Sequence, residues 1–193
     1  LLQSQNGDSI TTTIDKSKQF LTESLLKEGI EKYGASSGTA IIMETQTGKI
    51  RAMASFPNYD PGNYPDFNKD FYKNPVIASL FEPGSVFKPI VMAAALEKKV
   101  IDQDSICDIC AGPVNIGQFS IKTWDEVYHP DSNIADILVN SDNTGMVYVS
   151  RKLGEEKFLK ALDDFGFGVA TGIELQEEES GNLKQGSNFR EID

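Results

Sequence analysis

Polar and apolar positions along this chain fall into blocks of different period, and each period predicts an element. From Asp15 to about Tyr33, in DKSKQFLTESLLKEGIEKY, charges recur on every turn, which predicts a solvated helix with Asp15 as its cap. GTAIIMETQTGKIRAMASF then carries β-rich runs at Thr39 to Met43 and Ile50 to Ala54 on either side of Gln46-Thr47-Gly48, the pattern of a hairpin. PNYDPGNYPDFNKDFYKN mixes Pro, Asn, Asp and aromatics without any period and predicts an ordered surface loop. After Pro83-Gly84, a turn pair, the stretch Val86 to Leu96 offers no polar side until Glu97-Lys98-Lys99. A helix apolar all round is normally buried, so a buried helix beginning close to Ser85 is predicted. Residues 100 to 130 read as loops with brief strands around Trp124. From Asp131 the helical pattern returns: Ser132 can cap Ile134 to Val139, Met146 to Leu153 stops at Gly154, and Glu155 to Phe165 stops at Gly166. Glu177 to Gly181 is polar and turn-like. A hairpin followed by a helical block predicts an α+β fold with a helical subdomain.

Composition narrows the partners more than the fold. The 193 residues are enough for one domain, or a domain and part of another, with a real core. A formal net charge of −11 argues against nucleic acid and against an anionic membrane surface as partners. No apolar run of about 18 residues occurs, so no transmembrane helix is expected within these residues, and Leu1 does not open a signal peptide. An anchor upstream remains open. Cys107 and Cys110, in CDIC, invite a metal or redox reading, yet His129 is the only histidine and zinc wants four ligands. Ala111-Gly112-Pro113 also leads away from the helix that a thioredoxin-type pair precedes. Plain structural thiols or a local disulfide are the readings that fit.

Candidate chemistry concentrates in two short motifs. S-x-x-K should occur by chance roughly once in a chain of this length, and it occurs here twice. Ser24-Leu25-Leu26-Lys27 lies within the charged first helix and reads as a solvated face. Ser85-Val86-Phe87-Lys88 instead opens the apolar helix, where residues three apart share a face and Pro89 falls near the first turn. A serine hydroxyl is a weak nucleophile until a base takes its proton, and burial together with a positive helix end favours the neutral amine that Lys88 would need to be that base. The second motif is Ser141-Asp142-Asn143, a polar trio between Ile137-Leu138-Val139 and Thr144-Gly145-Met146, placed where a helix–helix turn can thrust side chains into a cleft. Alone it reads as an ordinary cap. Paired with S-x-x-K it is a serine-acyltransferase set. Competing motifs lack their companions: Asp164-Phe165-Gly166 has no kinase glycine loop, and His129 has no G-x-S-x-G serine to serve.

FEPGSVFKP together with VNSDNTGM resembles the transpeptidase domain of penicillin-binding proteins. TTTIDKSKQ, AIIMETQTGKIRAMASFPNYDPGNY and LDDFGFGVATGIEL are similar to the flanking segments of the monofunctional, class B type, in the family's order from about Thr11 onward. The resemblance implies the penicillin-binding/serine β-lactamase-like fold, an antiparallel sheet packed on helices plus a helical subdomain. It implies Ser85 as nucleophile, Lys88 as its base, Ser141 as a proton relay and Asn143 as a substrate-binding residue, with no metal or organic cofactor. The implied function is peptidoglycan D,D-transpeptidation through a serine acyl-enzyme. Peptidoglycan stem peptides and β-lactam antibiotics are the implied ligands, and cell-wall elongation or division proteins are left open as partners. The implied location is the extracytoplasmic face of the bacterial membrane, with the anchor upstream. A D,D-carboxypeptidase, a class D-like β-lactamase and a non-catalytic β-lactam sensor are the alternatives on the same fold. The family's third motif, Lys-Thr-Gly or Lys-Ser-Gly on a downstream strand, is not found; Lys184-Gln185-Gly186 reads as loop. Residues 1 to 193 are therefore expected to form a partial transpeptidase domain without its C-terminal strands, with an unpaired edge on the hairpin and an incompletely covered Val86 to Leu96 helix.

Overall fold

A computed structural model describes residues 7–183. The chain divides into two compact units: one runs up to Leu80 and takes in Ile173–Glu179, and the other runs from Phe81 to Gly172 and resumes at Ser180.

In the first unit, helix α1 (Lys16–Tyr33) packs on an antiparallel hairpin of β1 (Gly38–Met43) and β2 (Ile50–Phe56). Asp15 caps α1 as the sequence predicts, its carboxylate accepting from the N–H groups of Ser17 and Lys18 at 3.0 Å each. Gly34 ends the helix in the left-handed conformation, at φ 63°, which a glycine enters without steric cost. The hairpin pairs Gly38 with Phe56 and Ile41 with Met53, and its register shifts between Ile42 and Met43. Ala52 and Ala54 are buried, and their small side chains let α1 approach β2 closely.

The N-terminal segment closes one edge of the hairpin through polar contacts. Asp15 N–H donates to the Arg51 carbonyl at 2.8 Å, and the Thr13 hydroxyl donates to the Ile50 carbonyl at 2.7 Å. The Gln19 side-chain amide bonds both the N–H and the carbonyl of Met53 at 2.8 Å, standing in for a neighbouring strand. β1 has no strand on its other side among the described residues, and Ile41, Ile42 and Met43 are exposed. The unpaired edge expected from the sequence is thus the outer edge of β1. The following loop is ordered around Tyr59, Tyr64, Phe67 and Tyr72 and ends in a single turn, α2 (Pro75–Ala78), capped by Asn74.

The second unit is built on α3 (Lys88–Glu97), α4 (Ile134–Val139), α5 (Asn143–Leu153) and α6 (Glu155–Asp164), with a small hairpin of β3 (Val114–Ile116) and β4 (Phe119–Ile121). Val91, Met92, Ala94 and Ala95 of α3 pack with Ile134, Ile137, Val149, Leu153 and Ala161 in one core. α3 is not buried all round. Ala93 and Leu96 face outward, and Val86, which precedes the α-helix proper, is 76% exposed. A run apolar on every side marks a helix that can be buried, but only neighbouring elements decide which faces are covered.

Two caps also differ from the expected ones. Asn133, not Ser132, begins α4, in a reciprocal capping box with Asp136. Ser132 is buried and donates to the His129 carbonyl at 2.7 Å. α5 begins at Asn143 with Asp142 as its cap, three residues before the Met146 expected from the apolar pattern, because Asp142 nucleates the first turn across polar residues. Cys107 and Cys110 form a disulfide buried in the core, which settles the choice the sequence left open.

Candidate active site

The site residues all belong to the second unit. Pro83 and Gly84, the latter at φ 64°, turn the chain into a 3₁₀ turn over Gly84–Phe87, which passes directly into α3. Ser85 lies in that turn and Lys88 is the first α-helical residue, its N–H donating to the Ser85 carbonyl. Three residues complete one turn of a 3₁₀ helix, so positions 85 and 88 eclipse one another more closely than an α-helix would allow. Ser85 is exposed. No hydrogen bond joins its hydroxyl to Lys88 among the described residues.

Lys88 instead reaches across to the turn between α4 and α5. Its Nζ donates to the Ser141 carbonyl at 2.6 Å, to Ser141 Oγ at 3.1 Å and to Asn143 Oδ1 at 2.7 Å. An ammonium has three N–H donors, and these three acceptors use all of them. Burial pushes the Lys88 amine below the usual lysine range, and the charge of Asp142 opposes that shift. Ser141 holds the left-handed conformation, at φ 50°, which a non-glycine residue adopts at a steric cost and which recurs at functional sites. In that conformation its carbonyl and its hydroxyl both meet the same amine.

Asn143 is gripped from both ends. While Oδ1 accepts from Lys88, Nδ2 donates to the Lys122 carbonyl at 2.8 Å, just after β4, which fixes the orientation of the amide. Asp142 is 1% exposed, and its Oδ1 accepts from Thr144 N–H at 2.7 Å, Thr144 Oγ1 at 2.8 Å and Gly145 N–H at 3.1 Å. The sequence motifs S-x-x-K and S-D-N are therefore brought together, with Lys88, Ser141 and Asn143 in direct contact and Ser85 one 3₁₀ turn before the lysine.

The discarded readings fare as expected. Ser24 donates to the Phe20 carbonyl within α1 and Lys27 faces Glu31 at 4.0 Å, so that copy of S-x-x-K is a solvated helix face. Asp164-Phe165-Gly166 is a helix end with Phe165 as its cap. Lys184-Gln185-Gly186 lies outside the described residues. One feature of the site escaped sequence reasoning. The Lys122 carbonyl has no side-chain signature at all. Asp142 as a cap was legible, since an aspartate two and three residues ahead of Thr144 and Gly145 is a common helix start.

The model of the penicillin-binding protein transpeptidase domain matches residues 38–192. The chain belongs to that family. Its transpeptidase domain is of the class B type. Over 177 residues, 92% of this chain, it is 33% identical to the probable peptidoglycan D,D-transpeptidase PbpC of Pseudomonas aeruginosa, of which it covers 31%. It is 34% identical to the stage V sporulation protein D of Bacillus subtilis over 93% of this chain and 28% of that protein. To the peptidoglycan D,D-transpeptidase FtsI of Escherichia coli it is 29% identical, over 98% of this chain and 32% of that one. The chain thus spans about a third of the length of the curated relatives it matches. A solved structure described as a peptidoglycan glycosyltransferase from Burkholderia ambifaria shares the fold, with a TM-score of 0.81 and 21% identity, over 94% of this chain and 53% of the other. The α+β, penicillin-binding-like architecture expected from the sequence is the one observed.

Proposed function

We propose that this chain is part of a peptidoglycan D,D-transpeptidase domain that forms cell-wall cross-links through an acyl-enzyme on Ser85. The observation that carries the proposal is the Lys88 amine, held by Ser141 and Asn143 and pushed by burial toward its neutral form, one 3₁₀ turn after an exposed serine. Two of the relatives bear the name peptidoglycan D,D-transpeptidase, one of them as probable, which agrees with that chemistry.

In this reading the Ser85 hydroxyl attacks the penultimate carbonyl of a stem peptide ending in D-Ala-D-Ala. Its proton passes to neutral Lys88, and the developing oxyanion meets the Ser85 backbone N–H at the start of the helix. Ser141 Oγ relays a proton from Lys88 to the leaving amine, and D-Ala departs as the serine ester forms. Asn143 holds the substrate amide with the capacity that its bonds to Lys88 and to the Lys122 carbonyl leave over, the second lone pair of Oδ1 and the second N–H of Nδ2. An amine of a neighbouring stem then attacks the ester, the cross-link forms, and the serine regains its proton. A β-lactam acylates the same serine, because its strained amide occupies the place of the scissile bond. The work is done at the extracytoplasmic face of the membrane. No helix among the described residues is long and apolar enough to cross a membrane, and the proposed anchor lies upstream. Elongation or division proteins of the cell wall are the proposed partners.

Fluorescent penicillin followed by peptide mapping tests the nucleophile: the adduct is expected on Ser85, and an adduct on Ser141 or Ser24, or none, defeats the assignment. Incubation with stem peptides tests the reaction. A cross-linked dimer is expected, whereas a trimmed monomer means a carboxypeptidase and the absence of turnover means a sensor.

A further inference from the structure

We propose that Asp142 is a positioning residue for acylation, its buried carboxylate locking the turn that presents three oxygens to Lys88 and balancing the charge of that amine. The inference rests on the reading of Lys88 as the base of Ser85. It begins from an excess: capping α5 needs one oxygen, and an asparagine or a serine supplies one about as well as an aspartate. Here Oδ1 alone does the capping, accepting from Thr144 N–H, Thr144 Oγ1 and Gly145 N–H. Oδ2 is buried and has no hydrogen-bond partner among the described residues. Burying a carboxylate with one oxygen unpaired is costly unless an opposite charge stands near.

Lys88 supplies that charge. Its ammonium bonds Ser141 and Asn143, the residues on either side of Asp142, and the Asp142 charge acts on it against the effect of burial. Several other ionisable groups of this unit are engaged elsewhere. Lys122 pairs with Glu126 at 3.0 Å, Lys152 of α5 lies over the Tyr148 ring at 5.4 Å, and on α6 Lys160 pairs with Asp164, which also feels Lys98 at the far end of α3. Asp142 is thus the charged partner that Lys88 has across the α4–α5 turn.

The consequence for the reaction is a balance between two failures. Burial alone would make Lys88 neutral but a weak base, while a full surface environment would leave it protonated and unable to accept the serine proton. A general base works best when its proton affinity lies near the working pH. The fixed carboxylate holds the amine between these limits. Ser141, immediately before Asp142, stands in the left-handed conformation at φ 50°, with its hydroxyl against the amine at 3.1 Å.

The test uses the intact protein with Asp142→Asn and Asp142→Ser, both neutral residues that keep a capping oxygen. The acylation rate by fluorescent penicillin is followed against pH. Both variants are expected to shift the acid limb about one unit lower, because loss of the anion lowers the proton affinity of Lys88, so that rates on the limb rise about tenfold. An acid limb that stays in place in a folded variant overturns the proposal. A thermal-unfolding cycle with Lys88→Met gives a readout independent of activity. Asp142→Asn is expected to destabilise the protein when Lys88 is present and to be neutral or stabilising when Met stands there. Equal losses in both backgrounds reduce Asp142 to a cap and overturn the proposal. If the unaltered protein is not acylated at all, the proposed function fails, while the unfolding cycle still decides whether Asp142 and Lys88 are coupled.

Discussion

Gly145 stands in the first turn of α5, where its missing side chain lets α5 lie against α4, and replacing it with alanine tests how tightly that contact controls the site. On helix propensity alone Gly145→Ala should stabilise, by about 0.5–1 kcal/mol, because alanine loses less backbone entropy. Packing has the opposite sign. A Cβ at this position meets Ile137 Cγ1 at 2.5 Å, Cγ2 at 2.7 Å and Cδ1 at 3.0 Å, whereas carbon atoms are at their optimum about 3.5–4.0 Å apart. Ile137 is fully buried and packed in the core, so it has no open space to rotate into. Relief therefore requires α5 to move by about 1 Å, and overpacking of this kind costs about 1–3 kcal/mol. Taking mid-values of the two, the net expectation is a loss of about 1.3 kcal/mol, seen as a Tm lower by about 2.5–5 °C for a chain of this size. The same shift carries Ser141 and Asn143, in the turn and first residue before Gly145, away from Lys88, and a displacement of about 1 Å at a catalytic group can cost about 100-fold in rate. Differential scanning and penicillin acylation measure the two effects on one sample. Adding Ile137→Ala should restore much of the acylation rate while lowering stability further through the cavity it leaves. A Gly145→Ala protein that melts at or above the wild-type temperature would refute the close-packing argument, because propensity would then have won.

Other expectations are simpler. Lys88→Arg should slow acylation by about a hundredfold or more, since guanidinium does not release its proton; near wild-type rates would remove Lys88 as the base. In the unaltered protein the acylation rate should rise with pH through a lysine ionisation lying below the usual lysine range and then level off, because burial favours the neutral amine that accepts the serine proton; a rate that falls over that window contradicts the assignment. Replacing Cys107 and Cys110 together with alanine should cost about 2 kcal/mol from the loss of a short closed loop, read as a lower midpoint in urea, and an unchanged midpoint would mean the bridge adds nothing to stability. Asp15→Ala should cost about 1 kcal/mol through loss of the α1 cap, with little effect on acylation, since Asp15 and the site belong to different units.

Much of this molecule was legible because local rules governed it. The α1 cap at Asp15, the hairpin of β1 and β2, the glycine stop after α5 and the pairing of S-x-x-K with S-D-N all follow from residue types acting within a few positions of one another. The capping box of Asn133 and Asp136 was equally local, and an N-x-x-D pattern ahead of Ile134 was there to be read. What the sequence could not determine is how separated segments meet. Pattern alone put Val86 to Leu96 in the core, but whether a given side of α3 meets α5, α6 or solvent depends on segments more than forty residues downstream. Ser85 and Lys88 were paired by spacing, yet the amine turns to Ser141 and Asn143, because three acceptors converge there once α4 and α5 are packed. The Lys122 carbonyl that holds Asn143 belongs to the backbone and is common to every residue, so no sequence pattern could single it out. Sequence determines the chemistry each segment can offer; tertiary packing decides which of those groups share a low-dielectric site, and it is there that burial pushes the Lys88 amine below the usual lysine range.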